Sequence, residues 1–327
     1  MKLKVVITDY FFENVDIEIK ILKDHGIEPV ILQSKDEDAL ISACRDADGI
    51  INQFALLNSK VISSLDKCRV IARYGIGYDN VDVDAATKKN IVVTNVPVYA
   101  VEEVAEHALA LMISLARQIT FLDKKVKQKV WDYNVAKPIY KINGMTLGLI
   151  GFGNIAQNLA WRAQGIGMNV MAYDPFVNEE VMSEKKVKKA EIEEICGQAD
   201  IISPHVPLIS STRHLIDEKE LDLMKESALV VNVSRGPVIN EASLIDALNK
   251  KKIAGAALDV LEQEPVKPDN PLLGMDNVIL TPHMAWYTEE SEVILRSTAA
   301  LDVAKVLTDQ QPDNPVNKEA LKEMFES

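Results

Sequence analysis

The chain has 327 residues, of which 47% are apolar and 26% are charged. This length and balance are typical of a globular protein with two domains of ordinary size. The 36 Lys and Arg residues against 49 Asp and Glu residues give a net charge of −13. Because that charge repels nucleic-acid phosphates and anionic lipid headgroups, we expect neither nucleic acid nor a membrane surface as a partner.

The cysteines and the N-terminal segment indicate in which cellular compartment the protein is expected. Cys44, Cys68 and Cys196 lie far apart in apolar surroundings, with no CxxC motif or Cys/His cluster. We therefore expect buried reduced thiols and no metal site. The run MKLKVVITDY begins directly as a strand, and no apolar stretch approaches the roughly 18 residues of a membrane span. The sequence predicts a cytoplasmic protein.

Short β-branched runs alternate with longer amphipathic segments along the chain, which is typical of parallel sheets with crossover helices. The predicted strands of the first third are residues 4–8, 29–32, 49–52, 70–73 and 92–96. Those of the remainder are residues 147–150, 170–173, 201–204, 229–233, 254–259 and 278–280. The sequence therefore predicts an α/β fold of two doubly wound parallel sheets in series.

Two segments show the apolar spacing of long helices. Residues 101–126 predict one helix, whose breadth of small and apolar side chains indicates cover by the second sheet and by another subunit, as in a homodimer. Residues 289–307 predict a second helix. If it returns to the first sheet, one domain comprises 1–100 with 288–327 and the other 101–287, with a hinge at the two crossings. The basic run 185–189 is predicted to be a solvated helix end or loop.

A dinucleotide fingerprint follows the predicted strand 147–150. Gly151, Gly153 and Ala156 match G-x-G-x-x-G/A at the start of a predicted helix. The first glycine allows a tight turn, the second lets the backbone approach a pyrophosphate, and the small third residue permits close packing. Asp174 ends the next strand about twenty residues on, where a carboxylate can accept the ribose hydroxyls. These features predict a bound dinucleotide.

Three polar residues follow successive strands of the same predicted domain: Arg235, Glu264 and His283. Ligands of such sheets bind at the carboxyl ends of the strands. Hydride transfer between a 2-hydroxy acid and its 2-oxo acid requires a cation for the carboxylate, an acid/base for the hydroxyl proton, and a group that orients this base. Arginine, histidine and glutamate have the required chemistry.

These motifs, in this order, resemble the D-isomer-specific 2-hydroxyacid dehydrogenase family. The resemblance covers nearly the whole chain and includes RYGIGYDNVD (73–82), TNVPVYAVEEVAEHALAL (94–111), GMTLGLIGFGNIA (144–156), VNVSRGPVINEASL (231–244), GAALDVLEQEP (255–265) and LTPHMAW (280–286). The chain resembles phosphoglycerate dehydrogenase-like members, and TPHMAWYTEES also resembles the C-terminal-binding-protein branch of corepressors.

The resemblance implies a flavodoxin-like substrate domain, a Rossmann NAD-binding domain, and NAD as the cofactor. It implies that Arg235 binds substrate, that His283 is the acid/base and that Glu264 is its partner. The implied substrate loop is Tyr74, Gly75, Ile76 and Gly77. The implied cofactor residues are Gly151, Gly153, Asn154, Ile155, Asp174, His205, Val206, Pro207, Thr212, Val233, Ser234, Arg235, Asp259, His283 and Trp286.

Some alternatives remain open at the level of sequence. His205 and His214 compete with His283 for the catalytic role, and His107 inside the long helix is predicted to pack or cap. Trp286 fits either a pocket wall or the core. The segment NQFALLNSK (52–60) lacks an Arg-Ser-type phosphate-binding run, which argues against a phosphorylated substrate. The leading hypothesis is an NAD-dependent oxidoreductase that acts on a D-2-hydroxy acid or its 2-oxo acid. The alternative is an NAD(H)-sensing, corepressor-like scaffold with incidental turnover.

Overall fold

A computed structural model describes residues 2–325 of the chain. The chain divides into two compact units, Met1–Ala100 with Thr288–Ser327, and Val101–Tyr287. Strands and helices are numbered here along the whole chain, and each unit is described by itself.

The first unit contains a five-stranded parallel sheet. Its strands are β1 (Leu3–Ile7), β2 (Ile27–Ile31), β3 (Gly49–Asn52), β4 (Val70–Arg73) and β5 (Val92–Thr94). Its helices are α1 (Asp16–Asp24), α2 (Glu37–Cys44), α3 (Ser59–Ser63), α4 (Val83–Lys88), α12 (Glu289–Leu307) and α13 (Lys318–Phe325). The strand order is β2-β1-β3-β4-β5, which is the flavodoxin-like doubly wound order.

The helix predicted over residues 289–307 is α12, and it lies on the first sheet. A Cβ atom added to Gly49 would lie only 3.1 Å from Val303 Cγ1. The close approach of α12 to β3 therefore leaves little room for a side chain at this position. The C-terminal helix thus completes the core that the first hundred residues begin.

The second unit contains a seven-stranded parallel sheet. Its strands are β6 (Thr146–Ile150), β7 (Asn169–Tyr173), β8 (Lys188–Lys189), β9 (Ile201–Pro204), β10 (Leu229–Asn232), β11 (Gly255–Leu258) and β12 (Val278–Leu280). Its helices are α5 (Val101–Ala116), α6 (Ile119–Lys127), α7 (Asn154–Gly165), α8 (Glu179–Glu184), α9 (Ile192–Gln198), α10 (Glu218–Leu223) and α11 (Glu241–Asn249).

The strand order of this sheet is β12-β11-β10-β9-β6-β7-β8. The chain starts at β6, winds outward through β7 and β8, and then crosses to β9 on the other side of β6. The order reverses between β6 and β9, and ligands of doubly wound sheets bind at the carboxyl ends beside such a switch point. The prediction of two doubly wound parallel sheets is confirmed.

Two local predictions were wrong. Residues 101–126 do not form one helix, because Gln118 adopts a left-handed conformation (φ 51°) that separates α5 from α6. A left-handed residue cannot continue the α-helical hydrogen-bond ladder. The basic run 185–189 is not only a helix end or loop, because Lys188 and Lys189 pair with β7 as the edge strand β8.

The three cysteines are buried free thiols, as predicted. Burial raises the pKa of each of the Cys44, Cys68 and Cys196 thiols to about 12. Thiolates, which are the reactive form, are therefore scarce at neutral pH. Among the helices formed by residues 2–325, none combines the length and the apolar character needed to cross a bilayer.

A buried ion pair joins α1 to α12 in the first unit. Arg296 Nε and Nη2 each donate to a carboxylate oxygen of Glu18 at 2.9 Å. The Tyr74 hydroxyl donates to Glu18 Oε1 at 2.9 Å, and burial and the Glu18 charge raise the pKa of Tyr74 well above its usual value. Glu18 thereby fixes the residue that directly precedes the glycine loop 75–77.

Glu18→Gln should destabilise the protein by on the order of 3 kcal/mol, because removing one partner of a buried ion pair leaves the other charge uncompensated. The control is Lys60→Ala, which removes an exposed partner of Glu37 and should leave stability unchanged. Urea denaturation of both variants measures the effect. A midpoint for Glu18→Gln as close to wild type as that of Lys60→Ala would contradict the assignment.

Candidate active site

The turn after β6 has the geometry of a phosphate-binding turn. Gly151 has a φ of +94°, and a Cβ atom there would lie 2.6 Å from the His205 carbonyl oxygen, so only glycine fits. A Cβ atom on Gly153 would meet nothing within 4 Å. Gly153 is the N-cap of α7 and supplies no capping side chain, so the first N–H groups of α7, including those of Asn154 and Ile155, have no side-chain cap. Such a helix start favours anionic oxygens, and these residues fit the pyrophosphate of a dinucleotide.

Asp174 follows β7 directly. Its Oδ2 accepts a hydrogen bond from the Phe152 backbone N–H and its Oδ1 from the Phe176 N–H, both at 2.8 Å. The carboxylate is thus fixed to the phosphate-binding turn on one side and to its own loop on the other. Each oxygen keeps further acceptor capacity, which suits the two hydroxyls of a ribose.

The segment after β9 lies against the same turn. His205 donates its backbone N–H to Ile150 O at 2.7 Å, and its ring Nε2 lies 3.0 Å from Ser203 Oγ. Burial lowers the pKa of His205 to about 4, so its ring is neutral at physiological pH and poorly suited to proton transfer.

The residues that follow His205 form a self-contained loop. The Thr212 hydroxyl donates to Pro207 O at 2.5 Å and accepts the Ile209 N–H at 2.9 Å. Val206 contacts the turn, since its Cγ1 would lie 3.0 Å from a Cβ atom on Gly151. Thr212 therefore holds the loop in shape, and Val206 lies at the glycine turn.

His214 has its own carboxylate partner, separate from that of His283. Its Nε2 lies 2.7 Å from Glu262 Oε1, and Glu262 also accepts the backbone N–H of Glu241 at 3.2 Å. The structure therefore contains two His–Glu pairs in this unit, His214 with Glu262 and His283 with Glu264.

Arg235 is positioned by the loop after β10. Asn232, which is buried, donates from Nδ2 to Arg235 O at 2.9 Å and accepts the Ser234 hydroxyl at 2.9 Å. A Cβ atom on Gly236 would lie 2.0 Å from the Leu261 backbone. Glycine at 236 therefore allows the loops after β10 and β11 to touch, which brings the Arg235 charge close enough to influence Glu264.

His283 and Glu264 are joined by a short hydrogen bond. His283 Nδ1 lies 2.6 Å from Glu264 Oε2, and Leu261 N–H donates to Glu264 Oε1 at 3.0 Å. Burial raises the pKa of the Glu264 carboxyl, but its hydrogen bond with His283 and the charges of His283 and Arg235 outweigh this and hold the pKa below its usual value. Because an ionised carboxylate only accepts hydrogen bonds, His283 Nδ1 carries a proton.

The loop that carries His283 is tied to Asp259. Oδ1 of Asp259 accepts the Met284 N–H at 3.0 Å, its Oδ2 accepts the Ala285 N–H at 2.9 Å, and its carbonyl accepts the His283 N–H at 2.8 Å. The Trp286 indole N–H donates to His283 O at 3.1 Å. These bonds hold His283 in a left-handed conformation (φ 53°), which is unfavourable for a residue with a side chain.

The Asp259 carboxylate is therefore occupied by the loop, with its side chain only 1% exposed. Its implied role in cofactor binding stays a prediction, and the structure shows that it anchors the loop. Trp286 likewise contacts the backbone of His283 and stacks edge-on against Tyr287, with ring centroids 5.6 Å apart.

In the first unit, the glycine loop after β4 presents backbone N–H groups. The carbonyls of Gly75 and Ile76 accept hydrogen bonds from Val96 N and Asn95 Nδ2 at 3.0 and 2.7 Å. Within residues 2–325, the N–H groups of Gly75, Ile76 and Gly77 donate to no protein acceptor. Consecutive N–H groups of this kind can bind a carboxylate. The Tyr74 side chain is buried, so only its backbone belongs to this loop surface.

Sequence reasoning missed three residues that shape the site: Asn232, Gly236 and Thr281. Asn232 and Gly236 flank Arg235 in VNVSRGP, and their signals, a buried amide at a strand end and a glycine after the arginine, are visible in the sequence. Thr281 gives no such signal, because its hydroxyl partner Asp259 lies 22 residues away.

Comparison with known proteins places this site in a family. Residues 109–285 match the family model "D-isomer specific 2-hydroxyacid dehydrogenase, NAD binding domain". The chain is 37% identical over 296 residues to the glyoxylate reductase of Korarchaeum cryptofilum, which covers 90% of this chain and 86% of that protein. The chain belongs to the D-isomer specific 2-hydroxyacid dehydrogenase family and contains its NAD-binding domain.

Two further relatives differ in name. The chain is 40% identical over 316 residues to the D-3-phosphoglycerate dehydrogenase of Methanocaldococcus jannaschii, covering 96% of this chain but only 59% of that protein's length. A D-lactate dehydrogenase from Aquifex aeolicus, crystallised with NAD and lactic acid, superposes with a TM-score of 0.86 at 29% identity, covering 95% of this chain and 98% of that chain.

Asp174→Ala should weaken NADH binding by about 10- to 100-fold, because the variant loses hydrogen bonds to a charged acceptor. It should also reduce the discrimination against NADPH, since the carboxylate repels a 2′-phosphate. Binding of both cofactors to wild type and variant can be followed by fluorescence titration.

Equal affinity of the wild type for NADH and NADPH would contradict this role for Asp174. Lys189, whose Nζ donates to Val177 O at 2.8 Å in the loop after Asp174, is the nearby cation to replace in that event.

Proposed function

We propose that this chain interconverts a D-2-hydroxy acid and its 2-oxo acid, with His283 as acid/base, Glu264 as its orienting partner and Arg235 as the residue that binds the substrate carboxylate. The observation that carries the proposal is the 2.6 Å contact between His283 Nδ1 and Glu264 Oε2, formed in the NAD-binding domain of this dehydrogenase family.

In the direction of reduction, His283 donates the proton from Nε2 to the carbonyl oxygen of the 2-oxo acid. Glu264, ionised because its pKa is lowered, accepts from Nδ1–H and stabilises the imidazolium before the transfer. In the direction of oxidation, Nε2 takes the same proton from the hydroxyl group. One histidine therefore serves both directions.

The bound NAD(H) supplies or accepts the hydride. Gly151, Gly153 and the first turn of α7 bind its pyrophosphate, and Asp174 binds its adenosine ribose. Arg235 presents a planar guanidinium that holds the substrate carboxylate with two bonds and draws charge from the carbonyl beside it. In the first unit, the N–H groups of residues 75–77 are suited to donate to a carboxylate.

We further propose that the substrate is a small unphosphorylated acid of the glyoxylate class. The segment between β3 and α3 contains no arginine that could bind a phosphate group. Its exposed side chains include Phe54 and Leu56. Lys60 at its end pairs with Glu37. A cation beside this segment is Lys35, whose Nζ lies 4.7 Å from the centre of the Phe54 ring.

A substrate panel tests the proposal. With NADH, the kcat/KM for reduction of glyoxylate should be at least about tenfold higher than the kcat/KM for the phosphorylated 2-oxo acid of the D-3-phosphoglycerate couple. Arg235→Lys should lower kcat/KM for the preferred acid by about 10- to 100-fold, because the charge stays but the paired hydrogen bonds are lost.

Each result of the panel has a distinct meaning. Preference for the phosphorylated acid that falls in a Lys35→Ala variant would overturn the substrate class while leaving the reaction type intact. Tight NADH binding with no turnover of any 2-oxo acid would overturn the enzyme assignment and favour the NAD(H)-sensing scaffold.

We also propose that the chain forms a homodimer through the region around α5 and α6. Helix α6 has apolar residues but no buried side chain. The segment that follows exposes Trp131 (89%), Tyr133 (72%) and Tyr140 (57%). Three exposed aromatic side chains within ten residues are typical of an interaction surface, and burial against a second copy would remove them from water.

Trp131→Glu should convert the dimer to monomer, because a charge would then have to be buried in an apolar contact. The matched control is Phe11→Ser, which alters an equally exposed aromatic side chain (84%) in the other unit and should leave the dimer intact. Sedimentation velocity on both variants distinguishes them. A wild type that sediments as a monomer at micromolar concentration would contradict the proposal.

A further inference from the structure

His107 reaches from helix α5 to the anchor of the His283 loop. Its Nε2 lies 3.0 Å from Thr281 Oγ1 and 3.6 Å from Asp259 Oδ1. Its side chain is 19% exposed. The catalytic scheme proposed above gives His107 no role, although His107 is the outermost member of a chain of polar groups that ends at His283.

The direction of the hydrogen bonds in this chain is fixed by the Thr281 hydroxyl. Thr281 Oγ1 lies 2.6 Å from Asp259 Oδ1, and a contact this short with a carboxylate requires the hydroxyl hydrogen to lie between the two oxygens. The hydroxyl has only that one hydrogen, so Thr281 Oγ1 accepts from His107. His107 therefore carries a proton on Nε2.

The buried Asp259 carboxylate accepts three hydrogen bonds from the loop that carries His283. The Thr281 hydroxyl, the Met284 N–H and the Ala285 N–H all donate to it. His283 between these residues stays left-handed, a conformation that persists only where its surroundings over-determine it. Rotation of the Thr281 hydroxyl away from Asp259 would remove one of these constraints, and the His107 N–H prevents that rotation by occupying the hydroxyl's acceptor side.

We propose that His107 is a positioning residue for proton transfer: its Nε2–H holds the Thr281 hydroxyl on Asp259 and so keeps the His283 ring aligned with Glu264. This inference rests on the function proposed above. His107 acts through the loop that carries His283. The role requires a donor at Nε2 and requires no charge on the ring.

The requirement for a donor defines the test. His107→Gln retains an N–H group at nearly the reach of Nε2, whereas His107→Ala removes it. In His107→Ala, kcat should fall by about 10- to 100-fold, as expected for a small misplacement of a catalytic group, with NADH affinity unchanged and KM changed less than kcat. His107→Gln should recover most of the lost kcat.

A second measurement is independent of turnover. Hydrogen exchange followed by mass spectrometry should show faster exchange for the segment 281–286 in His107→Ala, because the N–H groups that donate to Asp259 lose protection. In His107→Gln the exchange should stay near that of wild type. His25→Ala, which removes a histidine ring at the C-terminus of α1, is the matched control and should change neither kcat nor this exchange.

The outcomes separate this inference from the function on which it rests. A wild type that reduces no 2-oxo acid overturns the proposed function, and the catalytic role of His107 with it. An active wild type whose His107→Ala variant keeps kcat within twofold overturns the positioning role alone. Equal losses of kcat in the Ala and Gln variants, with melting temperatures near that of wild type, would also overturn it, because the donor would then not matter.

Discussion

The hydrogen bond between Glu264 and His283 is the interaction on which the proposed chemistry depends. It fixes a proton on Nδ1, so the proposed proton transfer uses Nε2. Neither residue is held by this bond alone. Glycine at 236 lets the Arg235 loop approach the loop of Glu264, and Asp259 holds the loop of His283. The site is thus formed by contacts among three consecutive loops at the carboxyl ends of β10, β11 and β12.

Environment separates residues of the same type into different roles. His205 is kept neutral by burial, with its pKa lowered to about 4. His214 pairs with Glu262, and His283 pairs with Glu264. The two acidic residues after β11 also differ, because Asp259 is buried and occupied by backbone donors, whereas Glu264 is bound to the histidine. Position after a strand alone would not distinguish them.

Much of the fold follows from the sequence. The β-branched runs mark the strands to within a few residues, and the strands at 49–52, 70–73, 201–204 and 278–280 have the predicted bounds. The glycine fingerprint and the helix at 289–307 were also found, because each depends on local periodicity or on a backbone requirement of glycine. Such signals lie within one segment of chain and need no tertiary information.

The failures have a common physical origin. The break at Gln118 has no glycine or proline to announce it, so the apolar spacing of residues 101–126 continues across it. The edge strand at 188–189 is two lysines long and has no apolar pattern. The contact between His107 and Thr281 joins residues 174 positions apart, and only the packing of α5 against the sheet brings them together. Side-chain partners of this kind are set by tertiary structure.

The most direct test of the central claim is a pre-steady-state measurement of the hydride-transfer step, which proton donation by His283 assists. Stopped-flow oxidation of NADH by the preferred 2-oxo acid should be slowed by about 10²–10⁴-fold in His283→Ala, with NADH affinity unchanged. This result would assign the acid/base role to His283. A loss below tenfold, or a loss explained entirely by weaker NADH binding, would contradict the account.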